Sequence, residues 1–260
     1  MITKHAITLN GVALHALDES IITQSVRESA AQVKYNTLPA ASGRGQWAGR
    51  ETRQSLDVTV QFAIREKRDM RLRSDVLDKV MRWAHGGGWL ETRYRPGRRL
   101  HVRLVQFPNP GDVRVWNDSM TMIFRAYEIP YWQEVIADEA QHSNVNFYNL
   151  IVSMRGTADT PMEAEVTARA AVDDVSFGVG GQVMQLRGLG MRSGDVLVIR
   201  HDVYDRLQLV VRSGDTERNV YAKRTVDSVD DVMLSPGRNN VQVASNANCD
   251  WNVSARGRWL

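Results

Sequence analysis

A single stretch of this chain repeats its apolar residues at helical spacing. Leu72, Val76, Leu77, Val80, Met81 and Ala84 share one side of a 3.6-residue period. Asp69 stands where an N-cap belongs, and Gly86-Gly87-Gly88 stops the run. The spacing therefore predicts a helix over 69–85, about 24 Å long. Its apolar stripe needs a sheet to cover, and the rest of the chain supplies sheet. A chain with one helix and many alternating runs can only be mainly β.

The first forty residues alternate in period two, broken by short turns. Asn10-Gly11 between two such runs predicts a hairpin, and Ile21–Val26 continues a meander of antiparallel strands. From Leu38-Pro39 to Gly49 small residues and glycine dominate, which reads as a long loop or hairpin arm carrying Trp47 and ending at Arg50. A tryptophan there is expected to pack, and a neighbouring subunit is one place for it. Leu56, Val58, Val60, Phe62 and Ile64 then share one strand face, and further strands are expected at 88–93, 100–107 and 119–127. The tract from Arg93 to Arg103 holds five arginines and no acid, with Pro96-Gly97 as its turn, so a basic hairpin is expected.

Residues 133–146 are polar, and the texture changes after them. Short apolar runs such as 184–189, 195–199 and 207–211 alternate with Gly, Asp, Asn and Ser, and no helical stripe of useful length recurs. This predicts an all-β sandwich. The expected organisation is an N-terminal β-sandwich with one α-helix over 1–137, a linker over 138–143, and a C-terminal β-sandwich over 144–260.

The net charge of +3 conceals a split, because residues 1–137 carry 20 basic and 14 acidic residues while residues 138–260 carry 13 and 16. Arginine supplies 28 of the 33 positive charges, and its rigid fork suits interfaces and planar anions. The lone cysteine, Cys249, excludes an internal disulfide framework. The N-terminus shows no apolar signal-peptide core, and no run of 18 apolar residues predicts a membrane span.

Chemistry-bearing motifs are missing from the sequence. There is no Gly-x-Ser-x-Gly elbow, and Gly43-Arg44-Gly45 and Gly178-Val179-Gly180-Gly181 lack the helix a phosphate loop needs. The six histidines do not pair at metal-ligand spacing. Asp227, Asp230 and Asp231, or Asp202 and Asp205, do not follow an EF-hand loop. No catalytic, cofactor or metal residue is nominated. Nor does the arginine tract accompany a reading helix, so specific nucleic-acid recognition is not expected.

The order of these features resembles a known family. The Gly/Trp loop leads to Arg53 and Leu56-Asp57-Val58-Thr59-Val60-Gln61-Phe62, then come the helix, Gly87-Gly88-Trp89-Leu90, and the strand Met120–Tyr127 running into Pro130-Tyr131-Trp132. The C-terminal half adds Gly188-Leu189, Gly194-Asp195, Leu234-Ser235-Pro236-Gly237-Arg238-Asn239 and Arg256-Gly257-Arg258-Trp259. Together they resemble the distal tail proteins of long-tailed bacteriophages and prophages, the components of the tail-tip or baseplate hub. The resemblance implies a galectin-like C-terminal β-sandwich and a homo-oligomeric ring, a hexamer, in the virion tail, assembled in the bacterial cytoplasm. Such a ring joins the tail tube protein to the tail-associated tip protein, and its channel passes the tape-measure protein and then DNA. It implies no enzyme activity, no cofactor and no membrane insertion.

Under this reading the interface residues are Trp47, Arg50 and Arg53 on the arm, and Arg93, Arg95, Arg98 and Arg99 in the basic tract, with Glu91 as a nearby offsetting acid. Tyr131 and Trp132 are expected to close the N-terminal core or the domain seam, and Trp259 to sit in a core. Two other readings stay open. The C-terminal half could be a carbohydrate-binding module that contacts host-surface saccharide, using aromatics among Phe147, Tyr148, Phe177, Tyr204, Tyr221, Trp251 and Trp259. The chain could also be a tail-associated hydrolase.

Overall fold

The computed structural model describes residues 7–29, 33–39, 46–65, 69–108 and 119–260. It divides into two compact units, Met1–Trp132 with Leu260, and Gln133–Trp259. The chain adopts the expected mainly β fold with a single α-helix among the described residues.

The first unit contains β1 (Ile7–Leu9), β2 (Val12–Ala13), β3 (Ile21–Glu28), β4 (Val33–Pro39), β5 (Gln46–Arg53), β6 (Leu56–Ile64), α1 (Met70–Ala84), β7 (Gly88–Thr92), β8 (Arg98–Gln106) and β9 (Met120–Ala126). Strand β10 (Trp132–Glu134) carries the chain across the division. The sheet runs β2-β1-β7-β8-β9-β6-β3. Strand β8 serves two ladders in succession: its Arg99–Val102 half pairs with β7, and Arg103–Gln106 pairs with β9. The β1–β2 turn is the predicted one, with Asn10 at φ 50° and Gly11 at φ 78°, a pair of positive values that matches strand twist.

Strict alternation on β6 and β9 sends Val58, Val60, Phe62, Met122 and Phe124 inward, all buried. The helix covers them with Val76, Val80 and Ala84. Trp83 meets Phe124 edge-on at 6.2 Å and donates its indole N–H to the Val12 carbonyl at 3.0 Å. Asp69 caps the helix as expected, accepting from the Arg71 N–H at 2.8 Å. One member of the expected stripe is displaced: Leu72 is 49% exposed. It belongs to the first turn, and burial begins one turn later at Val76.

Strands β4 and β5 form a separate two-stranded sheet. It continues the β3–β6 ladder in register. Glu28 opposes Val58 and Val33 opposes Arg53, with 29–32 on one side and 54–57 on the other. The Ser29 N–H bonds to the Asp57 carbonyl at 2.8 Å within that interval. Within the predicted irregular stretch, Leu38 and Pro39 pair with Trp47 and Gln46, and 40–45 lie outside the described residues.

The second unit contains β11 (Asp138–Met154), β12 (Thr160–Pro161), β13 (Glu163–Ala168), β14 (Val175–Val179), β15 (Gln182–Leu186), β16 (Val196–His201), β17 (Leu207–Ser213), β18 (Thr216–Asn219), β19 (Met233–Leu234), β20 (Gly237–Ala255) and β21 (Arg258–Trp259). The order is β15-β14-β20-β13-β16-β17-β18, with β11 also on β20. The first part of β20 pairs with β14 and its second part with β13, so it runs through both layers. Its partner β11 does the same. A straight strand of this length would span roughly 55 Å, yet the Arg155 N–H reaches the Asp138 carboxylate at 3.2 Å. The fold-back occurs at register shifts between His142 and Phe147, where Asn144 takes φ 58°. The Trp251 indole N–H holds this corner by donating to the Val145 carbonyl at 2.9 Å.

Residues 138–143, expected as a polar linker, are instead the opening of β11, paired from Asp138↔Ala255 to His142↔Trp251. The ladder to β20 makes them a strand; their side chains bury little. The enclosed core includes Phe177 and Trp251, which meet edge-on at 5.6 Å.

Candidate interaction surface

The seven residues nominated from the sequence fall on two elements, β5 and the β7–β8 hairpin. Trp47, Arg50 and Arg53 lie on β5, where the structure describes the backbone and not the side chains. The other four follow from the β7–β8 hairpin, whose turn is closed by Arg95 N–H to the Thr92 carbonyl and Arg98 N–H to the Arg95 carbonyl.

Arg95 is committed within its own unit. Its Nη2 lies 2.9 Å from the Glu28 carboxylate and its Nε 3.4 Å from the other oxygen. The same carboxylate accepts from the Trp132 indole N–H at 3.2 Å, and the Arg95 guanidinium stands 5.8 Å from the Trp132 ring. This triad ties β3, the hairpin and the end of the unit together, so Arg95 acts first as a packing residue. Trp132 is fully buried, as expected. Trp259, expected in a core, is only partly buried.

Arg99 lies flat on Trp89, 4.0 Å from the ring centroid, a cation–π contact. His101 approaches the same indole edge-on at 5.1 Å, and burial pushes the His101 pKa down, with Arg103 and Arg99 adding to the effect and Glu128 opposing it. Glu91 stands directly across the ladder from Arg99. Arg93 is exposed, beside Tyr94 at 67% exposure, and Arg98 is half-buried. The hairpin tip therefore exposes Arg93 and Tyr94.

Sequence reasoning missed the pairing of Arg125 with Asp57, a two-pronged contact at 2.6 and 2.7 Å. Hydrogen bonding to Asp57 raises the Arg125 pKa further above its ordinary value. Their direct opposition on β6 and β9 is what brings them together, and no local signal announces it.

In the second unit, Phe177 and Trp251 are buried, whereas Phe147, Tyr148, Tyr204 and Tyr221 are exposed. Three of these four rings already carry a neighbour. His142 stacks on Tyr148 at 3.7 Å, Arg206 approaches Tyr204 at 5.3 Å, and Arg224 approaches Tyr221 at 4.3 Å. Among the described residues, no group of three or more His, Cys, Asp or Glu is placed to hold a metal ion, and no helix is long and apolar enough to cross a membrane.

No protein-family model matches the chain, and no curated protein matches it. Solved structures do. Two are of the phage P2 baseplate in its activated conformation, with Ca and with Sr. They are 9% identical and cover 92% and 91% of this chain and 90% of theirs, at TM-scores of 0.48 and 0.46. A third is the crystal structure of the SPP1 Dit (gp 19.1) protein, described as a paradigm of the hub adsorption apparatus in phages infecting Gram-positive bacteria. It is 13% identical, covers 96% of this chain and 98% of its own, and superimposes at a TM-score of 0.74. The chain shares the fold of the SPP1 Dit protein over nearly its whole length.

Proposed function

We propose that this chain is a structural, non-enzymatic protein of a phage tail hub. Six copies form a ring at the distal end of the tail, joining the tail tube protein to the tail-associated tip protein. The channel of the ring passes the tape-measure protein and then DNA. The protein would reside in the virion tail after assembly in the host cytoplasm. The observation that carries this reading is the likeness to the SPP1 Dit protein across 96% of the chain, both units included.

The hairpin arm supports it. An isolated pair of strands is marginal in water, and β4 and β5 have no third strand among the described residues. Their outer edges are open to strand addition by a neighbour. A ring closes when one patch on each copy meets a different patch on the next, and an arm reaching forward supplies such a patch. Trp47, Arg50 and Arg53 are proposed to contact that neighbour. Arg93 and Arg98 are proposed to face the tube or the channel, with Arg95 and Arg99 shaping the hairpin that presents them.

The saccharide reading has less support, because three of the four exposed rings in the second unit already have a neighbour on them. Negative-stain images and solution mass of the full chain, alone and with its tube protein, test the proposal. Sixfold rings are expected; a strict monomer in both conditions overturns it. Replacing residues 33–53 by a short Gly-Ser turn should abolish rings while leaving both units folded. Unchanged rings would remove the arm from the interface.

A further inference from the structure

The loop between β15 and β16 bends at three glycines of positive φ, Gly188 at 67°, Gly190 at 59° and Gly194 at 91°. With the ends of β17 and β18 it frames an open cavity of about 430 Å³, lined by Gly188, Gly190, Arg192, Asp195, Ser213 and Arg218. A third cation borders it: the Lys223 Nζ lies 3.6 Å from the point a Cβ on Gly188 would occupy. Six other arginines of this unit face carboxylates: Arg155, Arg169, Arg200, Arg212, Arg224 and Arg258. Among the described residues, no ion pair within 4.0 Å involves Arg192, Arg218 or Lys223.

The nearby acids are already engaged with the loop. Asp195 accepts from the Arg192 backbone N–H at 2.8 Å and also bonds Ser213; these contacts hold its carboxyl below the usual range against burial, and the Arg192 and Arg218 charges add to the effect, so Asp195 offsets part of their charge. Asp173 accepts from the Gly190 N–H at 2.8 Å. Glu217 faces Arg212 at 3.2 Å. Three cations against Asp195 and Asp173 leave the cavity net positive in a half of the chain whose sequence is net acidic. Arg218 donates one N–H to the Leu189 carbonyl at 2.6 Å. That contact fixes the guanidinium against the loop and leaves its other donors for a ligand.

We propose that this cavity binds the phosphate group of a sugar or polyol phosphate. Guanidinium forks match phosphate oxygens two at a time. A phosphate can carry up to about two negative charges, which suits Arg192 and Arg218 on the cavity, with Lys223 at its border, better than a single carboxylate does. A Cβ at Gly190 would meet nothing within 4 Å, so a ligand can approach the backbone there, and the open cavity leaves room for the group that carries the phosphate. All residues of the site belong to one unit.

Calorimetric titration of the full chain at constant ionic strength tests it, with inorganic phosphate, glycerol phosphate, glycerol and a single-stranded oligonucleotide as probes. Saturable binding of glycerol phosphate is expected, tighter than inorganic phosphate, with none for glycerol. Hydrogen exchange across 187–195 should slow on binding. Arg192→Gln should weaken glycerol phosphate by about tenfold, the loss of one charge-assisted hydrogen bond, without altering thermal stability. No saturable heat, an unaffected Arg192→Gln, or equal binding of inorganic phosphate would overturn the proposal. Tighter binding of the oligonucleotide would do so too, by assigning the site to nucleic acid.

Discussion

Gly86 and Gly87 are adjacent, both at positive φ, 84° and 70°. They differ in their surroundings. A Cβ on Gly86 would meet nothing within 4 Å, whereas one on Gly87 would lie 2.1 Å from the Val102 carbonyl oxygen and 2.8 Å from the Arg103 Cα. Both obstacles are backbone of β8, which cannot swing aside as a side-chain tip can. Alanine at either position incurs the left-handed penalty of about 1–2 kcal/mol, offset in part by about 0.4–1 kcal/mol from a less flexible unfolded chain. Only Gly87→Ala must also push β8 away from the helix exit, a strain of about 1–3 kcal/mol. The expected difference between the two variants is therefore about 2 kcal/mol. At a urea dependence of about 2 kcal/mol per molar, Gly87→Ala should unfold about 1 M below Gly86→Ala. Urea titrations of both variants beside the wild type measure this directly. Equal midpoints for the two variants would refute the argument that close packing of the helix exit on β8, and not backbone conformation alone, demands glycine at Gly87.

Two further outcomes follow from the second unit. Trp251→Phe keeps most of the buried ring but loses the hydrogen bond to the Val145 carbonyl, so it should cost about 1–3 kcal/mol in urea titration and speed hydrogen exchange at 143–147. Asp250 is held below the usual carboxylate range, chiefly by its hydrogen bond from Arg169, with the Asn144 N–H helping and burial opposing. A depressed folded pKa gives stability that is complete above the unfolded value and lost as pH falls through the folded one. Wild type should thus exceed Asp250→Asn in melting temperature at neutral pH, and the gap should close progressively in acid; a gap independent of pH would contradict this.

Local rules made the helix, its Asp69 cap and the Asn10-Gly11 hairpin legible, because each depends on neighbours in sequence. Leu72 escaped because periodicity reports which side of a helix is apolar, not how far the covering sheet extends. Residues 138–143 escaped because their strand character comes from a ladder to residues more than a hundred positions away, and polar side chains conceal it. The same distance problem hid the fate of the arginines. Arg95 meets Glu28 across 67 positions, so a tract that reads as uniformly basic proves to be partly internal. The cations around the Gly188–Gly190 loop come from β18, a 3-10 turn at Tyr221–Lys223 and the loop itself, and no spacing in the sequence gathers them.

The equal residue counts between the β3–β6 and β4–β5 ladders set a rule for how the reach of the arm can change. Each strand crosses the interval between the two ladders with the same number of residues. An insertion in one strand alone would shear the far ladder by a rung and exchange its faces. One residue added to both would keep the pairing but still turn the contact face away from its present direction. Only additions of two residues per strand preserve both, so the arm lengthens in steps of about 6.7 Å. Under the proposed ring, relatives that build wider or narrower rings should differ in arm length by multiples of that step.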